Sequence, residues 1–111
     1  MLVPVDVFSR GEGGYSCFRI PSLLKLPTAD GSSFALYAEA RNKSCSDFAP
    51  TDVVYKITRD RGSSWTNLSV LCTDGCSDHD RAYANSTHNP TPVAVAPASG
   101  APATVAIVVE K

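Results

Sequence analysis

The chain lacks the features that membrane-spanning and nucleic-acid-binding proteins share. No apolar run approaches the roughly 20 residues that a transmembrane helix needs. Ten basic residues stand against eleven acidic ones, for a net charge of −1, so no basic surface for phosphates is indicated. Residues 1–6 contain neither a basic segment nor a long apolar one, and no signal peptide is visible. We expect no nucleic-acid partner and no transmembrane segment.

Helical periodicity and familiar metal-binding spacings are missing as well. No window repeats its apolar residues with the period of a helix. One set mixes the residue types that bind zinc, but its spacing matches neither a zinc finger nor a zinc ribbon; it consists of Cys72, Cys76, His79 and His88. We expect no metal and no organic cofactor.

The cysteines and the glycosylation sequons favour an oxidising compartment. The four cysteines allow three pairings, and the last two are close enough to close a small loop; they are Cys17, Cys45, Cys72 and Cys76. The three sequons begin at Asn42, Asn67 and Asn85. We expect a protein that is secreted or resides in the lysosomal or endomembrane lumen, with further residues before Met1.

Alternating polar and apolar residues predict short strands throughout. The expected strands are 3–8, 18–26, 33–40, 52–58, 65–72 and 104–111. Pro21 argues that its strand lies at a sheet edge or carries a bulge, because proline donates no ladder hydrogen bond. Asp30 and Gly31 suit a tight reversal. The pattern is all-β and favours a sandwich, a barrel or a propeller.

Charged residues interrupt two of these apolar strands. Arg19 lies in Phe-Arg-Ile-Pro at 18–21, and Glu39 and Arg41 lie in Ala-Glu-Ala-Arg at 38–41. A guanidinium buried without an anion is costly, so Arg19 needs a carboxylate partner. That carboxylate belongs either to the protein, as a structural salt bridge, or to a ligand.

A third motif, at 58–65, fits the pattern Ser/Thr-x-Asp-x-Gly-x-x-Trp. Within it Asp60 is expected to accept hydrogen bonds from the turn, Gly62 to adopt positive φ and Trp65 to pack on the sheet. These roles are structural, so this Asp-box identifies a fold and not a reaction.

The three motifs, in this order and at these spacings, resemble the start of a sialidase (exo-α-neuraminidase) catalytic domain, from about Val5 to about Val95. The resemblance implies a six-bladed β-propeller with four-stranded blades. Residues 1–111 would then be a partial catalytic domain, the first blade and the start of the second, whose partner is the rest of its own propeller. A fragment of this size is expected to be inactive alone.

The resemblance also implies roles for single residues. Arg19 matches the first of three arginines that hold the carboxylate of sialic acid, and a planar guanidinium suits a carboxylate bidentately. Arg41 matches an arginine on the pocket floor. Asp47 matches the acid/base aspartate, which lies about six residues after that arginine. Asp52 is the competing carboxylate, but it opens a strand and better fits a cap or a turn.

Two further residues are assigned with an alternative each. Glu39 either braces the arginines or forms an ordinary strand salt bridge. Asn89 either binds a hydroxyl or amide of the substrate or caps the turn that Pro90 requires.

The implied activity is retaining hydrolysis of terminal sialic acids from glycoproteins, glycolipids such as gangliosides, and oligosaccharides. Sialidases use a tyrosine nucleophile, and neither it nor its glutamate partner is assigned to this chain. Three alternatives stay open: a trans-sialidase, a non-catalytic Asp-box propeller that binds carbohydrate or protein, and an inactive truncated product.

Overall fold

The computed structural model describes residues 3–72, 88–95 and 104–110 of the 111-residue chain. The strands are β1 (Cys17–Lys25), β2 (Phe34–Arg41), β3 (Thr51–Thr58), β4 (Ser69–Cys72), β5 (His88–Val95) and β6 (Thr104–Glu110). Within these residues the one helical element is a short 3₁₀ turn at Glu12–Gly14, and no helix is long and apolar enough to cross a bilayer. The all-β prediction is confirmed.

The strands form two antiparallel sheets. The first has the order β1-β2-β3-β4, and the second consists of β5 and β6. Strand β5 contacts β1, β2 and β3, so the second sheet lies against the first. Because β1 comes first in the order of the first sheet, it lies at a sheet edge, as its proline suggested.

One face of the first sheet carries the hydrophobic core. Its buried members are Tyr15, Ala38, Ala40 and Val54, with Phe8, Phe18 and Leu68 packed around them. We call this side the core face. Side chains alternate along a strand, so the neighbours of Ala38 and Ala40 on β2 point to the opposite face.

The segment before β1 covers the core face, but it is not the edge strand expected at 3–8. The Lys56 ammonium donates to the carbonyl of Val7 at 2.7 Å and pairs with Glu12 at 2.6 Å. The ring of Phe8 stacks on Phe18 with centroids 5.0 Å apart. The strand prediction was wrong because side chains, and not a ladder of backbone hydrogen bonds, hold this segment.

Strand β1 contains a bulge directly after Arg19. Arg19 is opposite Glu39, but the next pair is Ser22 with Tyr37, so β1 carries one residue more than β2 over this interval. Ile20 has a φ of 52°, which is rare for a β-branched residue. The proline that follows has no N–H to lose to the ladder, which suits the unpaired position of a bulge.

Strand β5 repeats the same device. His88 is opposite Glu110, and the next pair is Thr91 with Val108. Asn89 has a φ of 50° and is again followed by proline. Both hairpins therefore place a glutamate opposite the residue that begins the bulge.

The Asp-box forms a closed network of hydrogen bonds in the β3–β4 turn. Asp60 Oδ1 accepts from the Ser64 N–H at 2.8 Å and from the Thr58 hydroxyl at 2.7 Å. Gly62, with a φ of 92°, donates its N–H to the Thr58 hydroxyl at 2.8 Å. The hydroxyl and N–H of Ser64, followed by the Thr58 hydroxyl, lower the pKa of Asp60 to about 2.

The strand expected at 65–72 is shorter than predicted and begins at Ser69. The reason lies at Thr66, whose hydroxyl accepts the Ile57 N–H at 2.9 Å while its own N–H donates to the Ile57 carbonyl. A side-chain oxygen thus takes the place of a ladder carbonyl, and regular pairing starts three residues later.

We predict that the Asp60→Asn variant unfolds at a lower temperature than the wild type at neutral pH. A carboxylate with a depressed pKa stabilises the fold above its ordinary pKa of about 4 and loses that contribution as pH falls toward 2. The gap between the two melting temperatures should therefore close between about pH 5 and pH 2. Fluorescence of Trp65, the single tryptophan, measures both transitions; a gap that stays constant contradicts the assignment.

Two valines on paired strands offer a matched test of the core. Val54 is fully buried, and its partner Val70 is 44% exposed. Val54→Ala should lower the free energy of unfolding by about 2 kcal/mol, because it removes buried methyl groups and leaves a cavity. Val70→Ala should change it by less than about 0.5 kcal/mol. Chemical denaturation measures both, and equal losses would contradict the placement of Val54 in the core.

Candidate functional site

The side of the first sheet away from the core face gathers the charged residues that the sequence singled out. Arg19 and Glu39 are opposite each other on β1 and β2, and Arg41 lies two residues beyond Glu39 on the same side of β2. Asp47 reaches them from the loop that follows β2. We call Arg19, Glu39, Arg41 and Asp47 the arginine cluster.

At its base lies a buried ion pair. Arg41 Nη2 donates to Glu39 Oε2 at 2.6 Å, and the two side chains are 4% and 1% exposed. The other oxygen, Oε1, accepts the main-chain N–H of Asn89 at 2.9 Å. Glu39 therefore braces Arg41 and also joins the second sheet to the first. The contact of Asn89 with the cluster comes from its backbone.

Arg41 has further contacts and one unused donor. Its Nη1 donates to the Ser46 carbonyl at 2.6 Å and lies 3.5 Å from Asp47 Oδ1. Its Nε is buried and donates to no acceptor among the described residues. The guanidinium is held firmly yet keeps hydrogen-bonding capacity.

The loop of residues 42–50, the Asp47 loop, presents two side chains at a turn. The Asn42 N–H donates to the Pro50 carbonyl at 2.8 Å, which closes the loop at its base, and the Ala49 N–H donates to the Ser46 carbonyl at 3.0 Å. Asp47 and Phe48 occupy the corner of that inner turn. The Asp47 carboxylate forms an ion pair with Arg19, and the two side chains are 71% and 42% exposed.

A disulfide ties this loop to β1. Cys17 bonds to Cys45, and these residues lie two positions before Arg19 and two before Asp47, respectively. The disulfide and the Arg19–Asp47 ion pair thus join the same two segments. The Cys17–Cys45 bond is compatible with one of the three ways in which the four cysteines could pair. Cys72 is also disulfide-bonded, which removes it from the zinc set.

The competing carboxylate, Asp52, lies on the other face. Its Oδ2 accepts the hydroxyl of Tyr15 at 2.6 Å, beside the core. Burial, together with this hydrogen bond, raises the pKa of Tyr15. Asp52 is opposite Ala40 and not Arg41, so it does not take part in the arginine cluster.

The motifs selected four side chains that the structure places in contact, but the contacts that position them were not predicted. The sequence does not indicate that the Ser46 carbonyl binds Arg41, since every residue has a backbone carbonyl. The sequence contains one indication of the Cys17–Cys45 bond, because each of these cysteines lies two residues before a candidate site residue, Arg19 or Asp47. That offset alone did not select among the pairings.

Of the cluster residues, Arg19 alone also borders a shallow groove of about 240 Å³. Its walls come from the segment before β1 and from the core face, namely residues 5–8 with Phe18, Pro21, Leu36 and Ala38. No group of three or more potential metal ligands occurs in the part of the chain that the structure describes. Cys76 and His79 of the zinc set lie outside that part.

Comparison with known proteins adds no relative. No family model, curated protein or solved structure matches this chain.

We predict very different stability losses for the two carboxylates that face Arg41. Glu39→Gln should lower the free energy of unfolding by about 3 kcal/mol or more, because it leaves a buried guanidinium without its counter-charge. Asp47→Asn should lower it by less than about 1 kcal/mol, since that pair is exposed to solvent. Urea unfolding measures both. Similar losses would contradict the division into a buried base and an exposed contact.

Proposed function

We propose that this chain is part of the catalytic domain of an exo-α-sialidase, which removes terminal sialic acids from glycoproteins, glycolipids or oligosaccharides with retention of configuration. The observation that carries the proposal is the pairing of Arg19 with Asp47. The first triad arginine and the acid/base aspartate, as the motifs assign them, are in direct contact although 28 residues separate them.

The chemistry of the cluster suits a substrate that bears a carboxylate beside its reacting carbon. Arg19 is exposed enough to meet a ligand and carries the planar donor fork that binds a carboxylate. Arg41, held by Glu39, supplies a second positive charge at the pocket floor. These two residues would bind and orient the sugar, and Glu39 acts through Arg41 as a positioning residue.

Asp47 would supply the proton for the leaving oxygen and later take one from the attacking water. Its place at the corner of a solvent-facing turn, anchored by the Cys17–Cys45 bond, suits a carboxyl that must meet the substrate's leaving group. The nucleophile of this chemistry is a tyrosine, which we place, with the remaining arginines, in further residues of the protein. The chemistry calls for no cofactor.

The two bulged hairpins support the propeller part of the proposal. Repeated units of like construction are what propellers are built from. The hairpins β1–β2 and β5–β6 share the position of the bulge, the proline after it and the glutamate opposite its first residue. In this proposal β1–β4 form the first blade and β5–β6 begin the second.

The disulfides and sequons support a secretory or lysosomal location, because such bonds form and persist in oxidising compartments. That location gives access to the sialylated glycans of the luminal and cell-surface membranes.

We predict that Arg19→Ala, in the full protein that carries this chain, weakens binding of sialic acid about tenfold or more, since charge-assisted hydrogen bonds to the carboxylate are lost. The matched control is Arg59→Ala, an exposed arginine in the Asp-box turn. Isothermal titration with N-acetylneuraminate measures both. Equal affinity of the Arg19→Ala and Arg59→Ala proteins would contradict the role of Arg19.

We also predict that Asp47→Asn does not weaken binding but slows hydrolysis of sialyllactose by about a hundredfold or more, the usual contribution of a general acid. A 4-nitrophenyl sialoside, whose leaving group needs little protonation, should be affected much less. Unchanged turnover of sialyllactose by this variant would exclude Asp47 as the acid.

A further inference from the structure

The contact between Asp47 and the two arginines has a consequence beyond placing the acid. One oxygen of Asp47, Oδ1, pairs with Arg19 and lies 3.5 Å from Arg41 Nη1. A carboxylate of the protein thus sits where these guanidiniums would hold a carboxylate of a ligand. Two carboxylates cannot share that position, because like charges at contact distance repel strongly.

We propose that Asp47 is an exchangeable internal ligand, which occupies the anion site of Arg19 and Arg41 until a carboxylate from a bound sugar displaces it. The exchange keeps the charge of the cluster unchanged, since one carboxylate replaces another. It also releases Asp47 toward solvent and toward the leaving-group side of the sugar. This reading deepens the proposed function and rests on it for the identity of the sugar.

The surroundings of Asp47 permit the exchange without rebuilding the loop. Its side chain is 71% exposed, and its neighbour Phe48 is 96% exposed, so no packing holds the corner of the turn. The base of the loop stays fixed by the Cys17–Cys45 bond and by the hydrogen bond from Arg41 to the Ser46 carbonyl. Rotation of one side chain is sufficient.

Arg41 is equipped to receive the incoming group. Its Nε is buried and donates to no acceptor in the described part of the chain, and Asp47 lies against the same guanidinium. Withdrawal of the aspartate would open the guanidinium to a ligand. The exchange requires a carboxylate on the incoming ligand, so among sugars the acidic ones release the acid and the neutral ones do not.

The test is a titration of the full protein that carries this chain, followed by NMR, with acetate, N-acetylneuraminate and the neutral sugar N-acetylmannosamine as probes, at constant ionic strength with chloride. The two readouts are the apparent affinity and the ¹³C shift of the Asp47 carboxyl carbon. Asp47→Asn is the test variant. The matched control is Asp6→Asn, which removes an equal charge from the groove that Arg19 borders, at a residue that forms no ion pair in the described structure.

We expect both carboxylates to move the Asp47 carbon resonance and the neutral sugar to leave it in place. Asp47→Asn should tighten acetate binding on the order of tenfold, because the apparent affinity falls with the fraction of molecules whose site is free. Asp6→Asn should not. Any of three results would overturn the exchange. They are an Asp47 resonance that does not shift when a carboxylate binds, equal acetate affinities of the two variants, and no binding of carboxylates at all.

The same titration separates this inference from the proposed function. If Asp47→Asn tightens acetate binding while N-acetylneuraminate binds no better than acetate, the exchange stands and recognition of sialic acid fails. If N-acetylneuraminate binds well but moves no Asp47 signal, the exchange fails and the function stands.

Discussion

The buried ion pair between Glu39 and Arg41 is the interaction on which the rest of this architecture depends. Neither charge tolerates burial alone, and each is exposed by only a few per cent. Glu39 also receives the backbone N–H of Asn89 from β5, and Arg41 also holds the Ser46 carbonyl of the Asp47 loop. One charge pair thus connects the first sheet, the second sheet and the loop that carries the candidate acid.

The two faces of the first sheet differ in what they carry: one holds the hydrophobic core and the other the arginine cluster. The core face is closed by aromatic rings and by the segment before β1, and the Asp52 carboxylate on this face accepts the hydroxyl of Tyr15. The opposite face carries the arginine cluster, in which the Glu39–Arg41 pair is buried and the Arg19–Asp47 pair is exposed to solvent. Because adjacent residues of a strand point to opposite faces, Ala38 and Ala40 pack in the core while Glu39 and Arg41 belong to the arginine cluster.

Much of this could be predicted from the sequence where a local rule decides the outcome. Alternation located the strands other than β5, Pro21 indicated an edge or a bulge and the structure has both, and the motifs selected side chains that are neighbours in the structure. The misses at 3–8 and 65–68 share one cause: a side chain, Lys56 or Thr66, takes over a hydrogen bond that a ladder would make. The pairing of Cys17 with Cys45 required the fold, because sequence alone does not fix which cysteines approach each other.

The Cys17–Cys45 bond has a quantitative consequence for any ligand of the arginines. In the proposed exchange, the bond keeps the displaced Asp47 carboxylate close to β1, where it competes as if present at an effective concentration on the order of millimolar. A free carboxylate with no other contact must exceed that level to remain bound. The tether therefore acts as an affinity threshold, which a ligand overcomes through the groups it presents besides its acid.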